Sequence, residues 1–202
     1  MNHKSAATAA FPTTVETIFL SSEHSNDTKG RVLENYMIRM LDQPSVKTVG
    51  FRLPTCEATG MASGERKNIV LEFDIGPYYV HRFRGNKVPS DVDWMMPTLF
   101  IPMIPNYPEF DLLMWNGRSL LAVQITVSMS THKDISKKMY KMWLEALPAR
   151  RKEIQFLWIA PDGSQPTPDQ QKQTPCRKFL CTLSVVSKSM PMFDLVRHLR
   201  LK

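Results

Sequence analysis

The sequence predicts a single domain of the α/β or α+β kind, with helices packed on a mixed sheet. The prediction rests on a helical apolar stripe near the start, an Asn-Gly hairpin in the middle, and a second helical stripe running into a short apolar segment. At 202 residues and 43% hydrophobic content, the chain is long enough to bury one sizeable core.

The first stripe lies in "NDTKGRVLENYMIRMLDQ". Val32, Leu33, Tyr36, Met37, Met40 and Leu41 recur there at helical spacing, and Asn26, Asp27 or Thr28 offers a cap. Glu34 falls at the margin of the stripe, where it can reach the end of a sheet without entering the core. Residues 1–28 are rich in Ser, Thr and Ala without periodicity, so they are expected to form a loosely held arm, with 29–202 as the domain. "TVGFRL" and "NIVLEFDI" read as strands, the second with Ile69, Leu71, Phe73 and Ile75 on one face. "TCEATGMASGERKN" between them is a loop or hairpin connection. "YYVHRF" is a further strand and "RGNKVPSDVDWMMP" a loop.

The central hairpin falls within "YPEFDLLMWNGRSLLAVQITVS". Asn116-Gly117 suits a type I′ turn, which needs positive φ at both central residues. With that turn, Trp115 faces Arg118 and Asp111 faces Ala122. Alternation then puts Asp111, Leu113, Trp115, Leu120, Ala122, Gln124 and Thr126 on one side. Both strands are apolar on both faces, as in interior strands covered by helices. Asp111, Gln124 and Thr126 therefore cost free energy there unless they are paired or bind something.

Ile135, Met139, Met142, Trp143, Ala146 and Leu147 form the second stripe, which Pro148 ends. "EIQFLWIA" is a buried strand, "PDGSQPTPDQQKQTPC" a surface loop, "KFLCTLSVVS" another strand and "MFDLVRHLRLK" a closing helix.

A formal net charge of +7 and a pI near 9.4 point to an anionic partner, most simply nucleic acid. Cys56, Cys176 and Cys181 are odd in number and contain no CxxC pair. That argues against a disulfide framework or zinc site and fits a reducing compartment. The most apolar stretch, "WMMPTLFIPMIP", is interrupted by prolines and falls short of the roughly 20 residues a membrane span needs. The N-terminus lacks the apolar run of a signal peptide, so a soluble intracellular protein is expected.

An acid opening one strand, followed by Gln-x-Thr on the next, resembles the PD-(D/E)XK nuclease superfamily. More closely, "GRVLENYMIRML", "NYPEFDLLMWNGRSLLAVQITVSMSTHKDI" and "FLWIAPDG" are similar to the nuclease-like C-terminal region of retrotransposon hot spot proteins of protozoan parasites, a group related to Crinkler effectors. The resemblance covers residues 29 to 160 or so, in the order helical Glu, Asp, Gln-x-Thr, His. It implies a restriction-endonuclease-like α/β fold with a mixed sheet flanked by helices. It also implies a catalytic set of Glu34, Asp111, Gln124, Thr126, His132 and Lys133. Within that set, Glu34, Asp111 and Gln124 would hold Mg²⁺ or Mn²⁺ through hard oxygen ligands.

Such proteins usually carry a P-loop ATPase domain as well. No G-x-x-x-x-G-K-[ST] occurs here, so the chain would be a separate or truncated nuclease-like part, with the nucleus as its expected location. Lys133, Lys137, Lys138 and Lys141, with Arg82 and Arg84, are candidates for contact with a phosphate backbone. One departure from the pattern matters. Thr126 stands where the superfamily keeps a lysine, so a positive charge is missing from the site. Gln124 in place of Glu removes a negative charge and lowers the expected metal affinity. Lys133 or Lys137 could reach back, and His132 could donate a proton. The alternative is a nuclease-fold module that binds nucleic acid or protein with impaired catalysis.

Overall fold

The computed structural model describes residues 26–53, 56–58, 70–84, 87–104, 107, 109–127, 135–161, 164–166 and 176–183. The expected N-terminal arm, 1–28, lies outside these residues as far as residue 25, and its last three residues belong to a helix. The closing helix, Ile69, His132 and Lys133 also lie outside them.

Helix α1 (Asn26–Leu41) buries Leu33, Tyr36, Met37 and Leu41, the inner part of the stripe read from the sequence. Asn26, Asp27 and Thr28 lie inside the helix and so do not precede it as caps. Helix α2 (Pro44–Val49) follows, with Pro44 in its first turn, where a missing N–H costs nothing. It stops at Gly50, whose φ of 82° favours glycine. Thr48 and Val49, expected in a strand, thus belong to α2, and "TVGFRL" shrinks to β1 (Phe51–Arg52).

The strands that follow are β2 (Cys56–Ala58), β3 (Val70–Leu71), β4 (Asp74–Ile75), β5 (Tyr79–Phe83), β6 (Thr98–Pro102), β7 (Leu112–Trp115) and β8 (Leu120–Ile125). Helix α3 (Lys137–Ala146) leads to β9 (Ile154–Pro161) and β10 (Arg177–Leu183). "NIVLEFDI" is divided between two sheets: β3 pairs with β2, and β4 pairs with β1. Its inward alternation survives the division, since Leu71, Phe73 and Ile75 are all buried. The sequence gives no strand expectation for Thr98–Pro102, because Pro97 and Pro102 bracket the segment as loop residues do.

The main sheet has eight strands in the order β3-β2-β10-β9-β8-β7-β6-β5. At its centre β6, β7 and β8 form an antiparallel meander. The chain then passes through α3 and returns as β9, parallel to β8. Outside them β5 runs parallel to β6 and β10 parallel to β9, so the sheet is mixed.

Alternation along the central strands builds two cores. Leu112, Met114, Leu121, Val123 and Ile125 join Leu33, Tyr36 and Met37 of α1 on one face. Leu113, Trp115, Leu120 and Ala122 join Ile135, Met139 and Trp143 of the α3 segment on the other. Trp143 is fully buried and meets Phe83, Phe100 and Phe110 edge-on, with ring centroids 5.8, 5.3 and 6.3 Å away. The result is an α/β domain in three layers, helix on sheet on helix.

The hairpin turn differs from the sequence expectation by one position. Trp115 pairs with Leu120 rather than facing Arg118, and Asn116 N–H donates to the Ser119 carbonyl at 3.4 Å. Gly117 and Arg118 are therefore the central residues, and Gly117 supplies the positive φ, 87°, that the first of them needs. Asn116 acts through its side chain instead. Its Oδ1 accepts the N–H groups of Arg118 and Ser119, each at 3.0 Å. Moving the turn by one residue shifts each cross-strand partner by two, so every side chain keeps its face. Leu113, not Asp111, stands opposite Ala122.

Cys56, Cys176 and Cys181 are free thiols and buried. Among the described residues, no helix is long and apolar enough to cross a membrane.

Candidate active site

Asp111 stands immediately before β7, near the middle of the sheet and at the end of the hairpin away from the turn. Its N–H donates to the Val123 carbonyl at 2.9 Å, which fixes the backbone at the start of the ladder. The side chain is only 8% exposed. Its Oδ2 accepts the Ile125 N–H at 2.5 Å, and Gln124 Nε2 approaches Oδ1 and Oδ2 at 3.2 and 3.1 Å. A backbone N–H in a sheet points at the neighbouring strand, so a carboxylate that receives it lies in line with the sheet. Asp111 thus sits at the end of the sheet, within reach of the layer that carries α1.

Glu34 comes to it from that layer. The path of α1 is set at both ends. A Cβ placed on Gly30 would lie 3.9 Å from Val127 Cγ2, just beyond β8, and the Tyr78 hydroxyl donates to the Leu41 carbonyl at 2.5 Å. The helix therefore runs from beside the end of β8 to beside the start of β5. The electrostatics record the proximity. Burial pushes the Asp111 carboxyl well above its ordinary range, the Glu34 charge pushes it further, and the Ile125 N–H works against both. Burial also raises Glu34, and Arg31, one turn earlier, partly offsets it.

A buried carboxyl whose ionisation is further opposed by the Glu34 charge sits in excess negative potential, which a proton or a cation can relieve. The donors are all oxygen, the set that Mg²⁺ or Mn²⁺ prefers, and one or two carboxylates suffice for Mg²⁺ when water and phosphate supply the rest. The fit has a limit. Oδ2 of Asp111 already receives two hydrogen bonds and Oδ1 receives one, so a single Oδ1 lone pair is left for a further partner. Gln124 turns its amide nitrogen towards Asp111, which leaves its Oε1 as the atom able to act as a neutral ligand. Among the described residues, no group of three or more His, Cys, Asp or Glu is placed to hold a metal.

Thr126 is 2% exposed, and its N–H donates to the Ile159 carbonyl at 2.9 Å, so β9 holds its backbone. Asp111 meets Gln124 through hydrogen bonds and feels the charge of Glu34. Alternation along β8 turns Gln124 to the face that carries α3, opposite α1, and Thr126 lies two residues beyond Gln124. The structure does not gather the expected cations into one patch. Lys137, Lys138 and Lys141 are exposed on α3, and Lys141 lies 3.8 Å from Glu145. Arg82 turns instead to the layer of α1 and α2, where it pairs with Asp42. Arg84 is exposed.

Two contributors had no sequence signal strong enough to single them out. The Ile125 N–H is a backbone group, invisible in side-chain patterns. Glu109 accepts the Ser136 N–H on Oε2 at 2.6 Å, which ties the residue cluster around Asp111 to the start of α3. Ser136 in turn caps α3 by accepting the Met139 N–H on Oγ at 3.3 Å. No protein-family model, no curated protein and no solved structure matches this chain.

Proposed function

We propose that this domain is a metal-dependent nuclease-like module of the PD-(D/E)XK type, acting on the phosphodiester backbone of DNA or RNA. The observation that carries this reading is the buried Asp111 carboxyl at the open end of the central hairpin, held by Ile125 and Gln124 and raised by burial and by the charge of Glu34. The order of elements supports it: a helix bearing an acid, an antiparallel meander, a second helix and a parallel strand. That part of the argument is an analogy of fold.

In this reading Glu34 and Asp111 hold Mg²⁺ or Mn²⁺, with the Gln124 amide oxygen as a third donor. A bound divalent cation would polarise the scissile phosphate and lower the pKa of an attacking water. The chain's own contribution is placement. Ile125 N–H and the Gln124 amide fix the Asp111 carboxylate, and α1 carries Glu34 close enough for its charge to act on it. The partner would be nucleic acid, with a retrotransposon-hot-spot-like ATPase as associated machinery and the nucleus as the compartment.

A second reading, a nuclease fold that binds nucleic acid with impaired catalysis, is favoured by one observation. Three hydrogen bonds already engage Asp111, and buried Thr126 brings no charge to stabilise the transition state. Cleavage of DNA and RNA in Mg²⁺ or Mn²⁺ by the wild type and Asp111→Ala separates the two. Metal-dependent cleavage that disappears in Asp111→Ala supports the nuclease. Salt-sensitive binding without cleavage supports the module, and cleavage indifferent to Asp111→Ala excludes this site.

A further inference from the structure

A cleft of about 490 Å³ opens beside β5, the border strand of the main sheet, where α1 gives way to α2. Asp42, Lys47, Thr48, Tyr79, Arg82 and Met96 line it. Asp42 lies between two cations, with Oδ1 receiving Lys47 Nζ at 3.0 Å and Oδ2 receiving the Arg82 guanidinium. Burial alone would raise the Asp42 carboxyl, but the hydrogen bonds and charges of Lys47 and Arg82 outweigh it and hold it below its ordinary range. One carboxylate set against two cations leaves a net positive charge, and among the described residues Asp42 is the only acid in the lining. On the same cleft Tyr79 is 63% exposed and Met96 38% exposed, so an aromatic ring and a thioether stand open to solvent.

We propose that this cleft is a subsite for single-stranded nucleic acid, with a base stacked on Tyr79 and the backbone phosphate held by Arg82 and Lys47. The proposal rests on the nuclease-like reading and names the form of its substrate. A solvent-facing aromatic ring beside cations suits an unpaired base, whose face a duplex keeps within its own stack. The guanidinium fork of Arg82 matches phosphate oxygens, and Lys47 adds a point charge. A bound phosphate competes with Asp42 for both cations and takes up the charge that Asp42 leaves uncompensated.

The cleft lies at the start of β5 and Asp111 beside the end of β8, which runs in the same direction. The two therefore stand at opposite ends of the sheet, and the cleft is a separate subsite.

The test is fluorescence anisotropy of a short labelled oligothymidylate, measured in chelator so that cleavage plays no part, with the matching duplex alongside. Wild type should bind the single strand, Tyr79→Ala should weaken it about tenfold, and Tyr79→Phe should restore it. Arg82→Gln should weaken binding and flatten its salt dependence. Because Tyr79 is exposed, Tyr79→Ala should keep the wild-type circular dichroism spectrum and melting temperature. Single-strand affinity unchanged in Tyr79→Ala overturns the proposal, as does equal Tyr79 dependence for the duplex or no binding by wild type. Cleavage by the same proteins keeps the two inferences apart. Asp111-dependent cleavage with Tyr79-independent binding overturns the cleft and leaves the nuclease. Tyr79-dependent binding without metal-dependent cleavage supports the cleft and removes the nuclease.

Discussion

Replacing Asp111 by Asn and by Ala separates its charge from its role as an acceptor. In the folded chain the carboxylate receives the Ile125 N–H and both contacts of the Gln124 amide, in a position 8% exposed. Asn keeps an oxygen for Ile125, and the Gln124 amide can turn to meet the new NH₂ group. Ala leaves two buried donors without a partner. At about 1–3 kcal/mol for each buried group left unsatisfied, Asp111→Ala should be less stable than Asp111→Asn by about 3 kcal/mol. For a domain of this size that corresponds to a difference of roughly 6–12 °C in Tm.

The charge itself acts in the opposite direction. Burial and Glu34 raise the Asp111 carboxyl above its ordinary value of 3.8, so between that value and the folded one the native state binds more protons than the unfolded state. Wild-type stability should therefore fall as pH rises through that window, and Asp111→Asn should lose most of the slope. Urea unfolding of the three proteins at mildly acidic and at neutral pH measures both effects. Equal stability of the Ala and Asn variants, or an undiminished slope in Asp111→Asn, would refute the buried-acceptor account.

The remaining predictions concern the scaffold. Gly50→Ala combines a φ of 82° with a Cβ placed 2.2 Å from the Ile75 carbonyl oxygen, so thermal unfolding should show a loss of about 2 kcal/mol or more. Ser136→Ala removes the cap of α3 and should cost about 1 kcal/mol in urea unfolding, with Ser136→Asp largely retaining stability. Cys56 is buried and lies against Cys181, which pushes its thiol well up from its ordinary value. A thiol-specific chromogenic reagent should therefore label the native protein slowly at neutral pH, and all three thiols should react at once on unfolding.

What could be read from the sequence follows from periodicity. Both helical stripes and the alternating strands bury one face each, and Leu33, Tyr36, Met139 and Trp143 are in the core where their spacing puts them. The short strands were harder. "NIVLEFDI" keeps one inward face throughout, and nothing local marks the point where the backbone leaves one sheet for another. Proline brackets disguised β6, although only Thr98, Leu99 and Phe100 pair with β7 and neither proline does. The hairpin turn moved by one position: the Asn116 side chain caps it, and Gly117 takes its first central, positive-φ position. The face assignment of Asp111 and Gln124 tolerates that change, because a two-residue shift preserves parity. Their mutual hydrogen bonds, and the tie to Ile125, depend on where the ladder ends, which side-chain patterns do not encode. The cleft beside β5 is still less local. It joins residues from α2 and β5 with the carboxylate that follows α1, and it shows only once the sheet has assembled.

The central claim is that Glu34 and Asp111 form one cation-binding pair, and a Mn²⁺ titration of thermal stability at neutral pH tests it directly. The wild type should gain stability as RT ln(1 + [Mn²⁺]/Kd), because the ion relieves the repulsion between buried Asp111 and half-buried Glu34. Glu34→Gln and Asp111→Asn should each lose most of that gain while melting cooperatively without metal. A Mn²⁺-dependent shift as large in both variants as in the wild type would place the cation elsewhere and contradict the account.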